Sequence, residues 1–286
     1  MSKMRERFEE ELRLRGYSEV TRRIYVRAVR KFVEFHGRSP QRLGAEEIRA
    51  YLVHVTTEEQ WSCSGVHQAI YALKFFYTQV LERPWEISKV HYPKRKKKLP
   101  VFLTDQEVAR LLSATSNLKH KALLMTLYSA GLRLSEALAL QPTDIDSSAM
   151  RIHVREGKGG KERYTLLSAR LLETLRCYFR RYRPQRWLFC GQVQGEPMSP
   201  RTVQRIVGKT AQQAGLLKRV TPHALRHSFA THLLAQGTSL IYIQALLGHQ
   251  NLKSTVIYTH VNQEALSKVS SPLDSLSLPP PPEPHS

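Results

Sequence analysis

The sequence predicts a mainly α-helical protein with a small antiparallel β-sheet, made of a helical first domain and an α+β second domain. Three observations lead there. Apolar residues recur at helical spacing through most of the chain. Only residues 150–155 and 162–167 alternate as strands, with Gly157-Lys158-Gly159-Gly160 joining them as a hairpin turn. A basic run bracketed by prolines, Pro93-Lys94-Arg95-Lys96-Lys97-Lys98-Leu99-Pro100, divides the halves and reads as a linker, because proline cannot continue a helix.

The elements follow in order. Tyr25, Ala28, Val29, Phe32 and Val33 mark one helix, stopped by Gly37. Residues 45–55 form a shorter one, and Val66, Ala69, Ile70, Leu73, Phe76, Tyr77 and Val80 mark another. Three or four such helices with charged outer faces make a bundle over residues 1–92. Beyond the linker (93–100), Thr104-Asp105-Gln106-Glu107 is a capping box that opens a helix. A second helix covers 118–130 and ends at Gly131. After the hairpin, helices are expected over 169–182 and 201–214. The next is capped by Thr221-Pro222 and ended by Gly237, and another spans 239–247 and stops at Gly248. Ser254 is expected to cap a last helix carrying Tyr258. The second domain then closes near residue 270. Residues 271–286, rich in Ser and Pro, are expected to form a flexible tail.

Composition narrows the partner. Of 286 residues, 44 are Lys or Arg and 24 are Asp or Glu, a formal charge of +20, so a polyanion is expected and nucleic acid is the first candidate. A membrane surface would call for a basic amphipathic helix or a lipidation signal, and the chain has neither. No apolar run reaches the ~18–20 residues of a spanning helix. Cys63, Cys177 and Cys190 are too few and too scattered for a disulfide framework or a metal site, which points to a reducing compartment, the cytoplasm. The five cations Lys94, Arg95, Lys96, Lys97 and Lys98 read either as a solvated spacer or as a strap along a DNA backbone, with the strap favoured.

One stretch concentrates the chemistry. From Pro197 through Gln263 there is no Asp or Glu, yet it holds His223, Arg226, His227, His232, His249, Tyr258 and His260. Metal-dependent nucleases need carboxylates to hold their metal. His223 and His227 sit four apart like zinc ligands, but no general-base Glu lies between them. No metal and no cofactor are expected. Metal-free phosphoryl transfer needs a nucleophile, cations around the non-bridging oxygens and a proton for the leaving oxygen. Arginine clamps phosphate best, and a tyrosine attacks once cations and a base favour its phenolate.

The residues resemble the tyrosine recombinases. Gly131-Leu132-Arg133-Leu134-Ser135-Glu136 is similar to their first box, and residues 223–232, His-Ala-Leu-Arg-His-Ser-Phe-Ala-Thr-His, to the second. Leu246-Leu247-Gly248-His249 followed by Ile257-Tyr258-Thr259-His260 resembles the third, and residues 157–163 the hairpin that carries the family's lysine. The likeness spans the second half in order, and the helical first half is arranged like the family's core-binding domain. It is nearest to the short bacterial integrases of the Xer-like branch.

The resemblance implies a C-shaped clamp around double-stranded DNA, with residues 101–270 as the catalytic domain. Arg133 and Arg226 would hold the scissile phosphate, and Lys158 would protonate the departing 5′-oxygen. His223 would assist proton transfer and His249 would bond a non-bridging oxygen. Tyr258 would attack and keep the 3′-phosphate. It also implies a Holliday junction, a tetramer at synapsis and a place at the bacterial nucleoid, and the divergent tail suggests a mobile element. Glu136 is a candidate orienter of the cations. Each residue has an ordinary explanation too: Arg133 can pair with Glu136, Lys158 can be solvated with Lys161 as its competitor, His249 can cap a helix, and Tyr258 can be a core tyrosine. Strand resealing of the type IB topoisomerase kind, or a silent DNA-binding relative, stay open as alternatives.

Overall fold

The computed structural model describes residues 2–85, 101–155, 162–193 and 195–249. The chain divides into two compact units, residues 1–98 and 99–286.

The first unit is a four-helix cluster among its described residues: α1 (Ser2–Leu14), α2 (Glu19–His36), α3 (Ala45–Thr57) and α4 (Cys63–Phe75). Each start is set by local chemistry. Ser18 accepts the Thr21 amide at the head of α2 and Ser62 accepts that of Gly65 at the head of α4. Gly37 ends α2 in the left-handed conformation, as its sequence predicts. Phe8, Phe32, Tyr51, Ile70, Leu73 and Phe76 form the core. Two features lie outside the sequence reading. The charged N-terminal segment is helical and buries Phe8 and Leu12. Also, α4 runs on into a π turn, Phe76–Val80, which lets Phe76, Tyr77 and Val80 all stay buried and sends the Tyr77 hydroxyl to the carbonyls of Pro40 and Leu43.

The second unit holds α5 (Asp105–Ser113), α6 (Leu118–Ser129), α7 (Leu134–Ala139), α8 (Ala169–Tyr182), α9 (Pro200–Gln213), α10 (Pro222–Ala235) and α11 (Leu240–Leu247). Its three-stranded antiparallel sheet runs β1 (Ile145–Asp146), β2 (Arg151–Val154), β3 (Arg163–Leu166). The capping box at Thr104 forms, with Thr104 N donating to Glu107 and Glu107 N to Thr104 Oγ1. Helix α8 has the bounds its sequence predicts. The strands are shorter than the alternation suggests, because Met150 turns into positive φ and closes the β1–β2 connection. The expected hairpin turn falls on residues 156–161, outside the described residues.

The sheet matters here for the face it buries. Register pairs Ile152 with Thr165 and Val154 with Arg163, while Tyr164 and Leu166 point outward. Thr165 Oγ1 donates to the Ala130 carbonyl, which pins β3 to the end of α6. There Gly131 turns the chain at φ +59°, and a Cβ on it would sit 2.3 Å from Phe229 Cδ1 and 2.5 Å from Cε1. Both the conformation and the close approach to α10 demand glycine. Gly131→Ala is expected to destabilise this unit by at least ~1–3 kcal/mol, read as a lower urea midpoint; an unchanged midpoint contradicts the packing.

Candidate active site

The site is built around one buried carboxylate. Glu136, 4 % exposed, is the third residue of α7 and accepts the backbone N–H of Arg133, the N-cap, at 2.8 Å. A negative side chain at a helix N-terminus is favourable, and here it also gathers cations. Arg133 Nη1 donates to Oε1 at 2.6 Å. Arg163, from the start of β3, donates through both ends of its fork, Nη1 to Oε1 at 3.0 Å and Nη2 to Oε2 at 2.8 Å. Arg226 Nη1 stands 3.6 Å from Oε2.

Among the described residues Arg226 is the largest fully buried side chain, 1 % exposed. Its fork donates to the carbonyls of Gly131 and Leu247, each at 2.7 Å. Those oxygens belong to the ends of two helices, α6 and α11, where carbonyls lack intrahelical partners. Arg133 Nη2 likewise donates to the carbonyl of Gly248 at 3.1 Å, just beyond α11. The two arginines, from distant parts of the sequence, are thus oriented by helix termini and by the same carboxylate. Arg133 remains partly exposed, its side chain at 26 %. Burial pushes the Glu136 carboxyl up, but the bonds from Arg163 and the Arg133 backbone, with the arginine charges, outweigh it and hold it down at about 2. Three guanidinium groups around one carboxylate leave the pocket net positive, a receptor for an anion with planar, forked donors.

Three imidazoles border it. His223 and His227 lie on α10 with rings 4.2 Å apart, edge to face. His249 follows Gly248, which ends α11 in the left-handed conformation, and is held by its amide to Gln244 O (3.2 Å) and by Gln244 Nε2 to its carbonyl (3.0 Å). Desolvation, then the charges of Arg226 and Arg133, lower the pKa of His223, although much of its surface stays open. Burial, then His223 and Arg226, bring His227 to about 4, and burial, then Arg226, Arg133 and Arg163, bring His249 to about 4. His227 and His249 are neutral at pH 7.

Each of these groups is more acidic folded than unfolded, so the unfolded chain binds protons first as pH falls. The contribution is complete above ~6.5, the unfolded histidine value. It declines toward pH 4 as unfolded histidines charge, and Glu136 adds a further loss from ~4.5 down to about 2. Urea midpoints are expected to fall steadily from pH 7 to pH 4; a midpoint that rises over this range contradicts the burial of neutral imidazoles.

Of the residues singled out from sequence, Arg133, Arg226, His223 and His249 come together here, with Glu136 between the arginines. Lys158, Tyr258 and the linker cations Lys94, Arg95, Lys96, Lys97 and Lys98 lie outside the described residues. His232 stands apart, accepting or donating at Tyr128 Oη (2.8 Å) and facing Asp105 (3.0 Å). Among the described residues no group of three or more His, Cys, Asp or Glu side chains has the arrangement of a metal site, and no helix is long and apolar enough to cross a membrane. Sequence reasoning missed Arg163. The signal was present, since strand alternation puts Arg163 and Thr165 on the inward face, and a charged residue there needs a buried partner.

Comparison with known proteins agrees with this geometry. Residues 101–265 match the phage integrase family, and residues 4–87 match the phage integrase N-terminal SAM-like domain. A putative integrase/recombinase of Sinorhizobium fredii, y4qK, is 42 % identical over 285 residues, covering 99 % of this chain and 92 % of its own. Tyrosine recombinase XerA of Pyrococcus horikoshii is 38 % identical over 265 residues, covering 91 % and 90 %. The crystal structure of XerH site-specific recombinase bound to its difH substrate superposes with a TM-score of 0.70 at 25 % identity, covering 88 % of this chain and 79 % of that one. The site and these likenesses lead to one conclusion: the chain belongs to the phage integrase family and is a tyrosine recombinase.

Proposed function

We propose that this protein is a site-specific DNA recombinase that cuts and rejoins duplex DNA through a covalent bond between Tyr258 and the 3′-phosphate, without metal or ATP. The observation that carries the reading is the convergence of Arg133 and Arg226 on Glu136 in a pocket bordered by His223, His227 and His249. The scissile phosphodiester is the anion this pocket receives. Its non-bridging oxygens take donors from Arg133 and Arg226, whose bonds strengthen as the phosphorus gains a fifth oxygen and more negative charge. His249 donates to the same oxygens. His223, neutral and with a lone pair, accepts the Tyr258 proton as the phenolic oxygen attacks phosphorus. The arriving phosphate charge offsets the repulsion from the arginines and makes that proton easier to hold.

The P–O5′ bond breaks, and Lys158 gives its proton to the leaving oxygen. The phosphotyrosine conserves the energy of the broken bond, so no nucleotide is consumed. A 5′-hydroxyl from a partner duplex reverses the step on the new strand, through a Holliday junction in a tetramer of this chain. The linker cations Lys94, Arg95, Lys96, Lys97 and Lys98 run along the DNA backbone and add salt-dependent affinity. The surplus of 44 basic over 24 acidic residues supports a nucleic-acid partner for the whole chain, with the bacterial cytoplasm and nucleoid as its place and movement of a mobile element as its task.

The test compares two assays on DNA carrying a site selected from a random pool by the protein itself. Recombination between two such sites is the expected product. Relaxation of supercoils with no exchange between sites would instead identify strand resealing of the topoisomerase kind.

A further inference from the structure

We infer that Arg163 is a positioning residue for strand cleavage: it locks the base of the β2–β3 hairpin to the carboxylate that orients Arg133 and to the helix end that presents His249. This rests on the recombinase reading of the site.

Three bonds make the lock. The two fork nitrogens grip both oxygens of Glu136, and Nε donates to the carbonyl of Leu246 at 2.8 Å. One side chain therefore ties together β3, α7 and the last turn of α11. All three of its guanidinium nitrogens are engaged by protein oxygens, and 10 % of its side chain is exposed. The packing around it is specific. Gly248 has φ +62°, and a Cβ there would lie 3.0 Å from both Cδ and Nη1 of Arg163, so the chain leading to His249 passes directly over the guanidinium. Arg163 also pairs with Val154 in the last described register of the hairpin, five residues after Lys158 in sequence. Arg163 thus bears on two groups of the site at once: on Arg133 through their shared carboxylate, and on His249 through the end of α11. Lysine keeps the charge but cannot make the forked contact and the carbonyl bond together.

The charges facing His249 are those of Arg133 ahead of α7, Arg163 on β3 and Arg226 on α10, with His223 and His227 beside it and the Glu136 carboxylate opposing them. Removing the Arg163 charge relieves part of the repulsion on His249, so its protonation moves to higher pH. A purely structural loss would cost binding and rate alike, whereas a positioning role costs rate with binding largely kept.

The experiment measures single-turnover formation of the covalent adduct on a nicked duplex carrying the selected site, alongside the dissociation constant for that duplex, in wild type, Arg163→Met and Arg163→Lys. In Arg163→Met, cleavage is expected to slow about 100-fold, the usual cost of an ~1 Å misplacement. Binding should weaken less than about 3-fold, about half a decade in the equilibrium constant. Arg163→Lys should remain at least about tenfold slow, since charge without the fork does not restore geometry. If Arg163→Met gives no cooperative melt, Arg163→Lys alone decides. Wild-type cleavage in either variant overturns the inference, as does a rate loss fully matched by lost binding. No adduct from the wild type would instead refute the recombinase reading itself.

Discussion

Glu136→Gln is expected to destabilise the second unit by about 3–5 kcal/mol, the typical cost of breaking a buried charge network by removing one partner. The change is nearly isosteric, so the loss is electrostatic and geometric. Arg133 and Arg163 each bond the carboxylate and Arg226 lies 3.6 Å from it. An amide offers one acceptor where the carboxylate has two, and it turns a donor toward another donor. The guanidinium groups then repel one another without a counter-charge. Site DNA should partly repair this, because a phosphate brings negative charge to the same cations. Bound duplex is therefore expected to raise the melting temperature of the variant more than that of the wild type. Equal stabilisation of both by DNA would contradict a phosphate seat at these arginines. Cleavage should remain slow even when the variant is saturated with DNA, because the second contact of the Arg163 fork is still missing.

Much of the fold is legible in the sequence because its punctuation is local. Thr104, Ser168 and Thr221 cap helices with their own side chains, and Gly37, Gly131, Gly237 and Gly248 take the positive φ that other residues avoid. The elements that escape are those set by tertiary contacts. Helix α7 has six residues, too few for an amphipathic period, and exists because Glu136 caps it from within and the arginines hold Glu136. Strand β1 has two residues and forms only by pairing with β2. The π turn after α4 is one extra residue per turn, invisible to a 3.6-residue pattern.

The candidate site divides the same way. A stretch rich in His and Arg and free of acids points to Arg226, His223 and His249. Their meeting with Arg133 is a property of the fold, carried by carbonyls at the ends of α6 and α11. Arg163 was hidden because its partner lies 27 residues earlier, on another element. Neither residue alone signals the pairing.

The second large effect concerns Tyr258. In the mechanism proposed above, Arg133, Arg226, His223, His249 and Lys158 all serve one attacking oxygen, that of Tyr258. Tyr258→Phe removes that oxygen and leaves the anion receptor intact. Loss of cleavage should thus be complete, while affinity for the selected duplex stays within about threefold of wild type, under 1 kcal/mol. The most direct measurement traps the adduct on a duplex nicked beside the cleavage point, digests it, and locates the attached nucleotide by mass spectrometry. The expected result is a 3′-phosphate joined to the peptide containing Tyr258 in the wild type, and no adduct in Tyr258→Phe. A 5′-linked adduct, attachment at another residue, or an adduct that persists in Tyr258→Phe would contradict the mechanism.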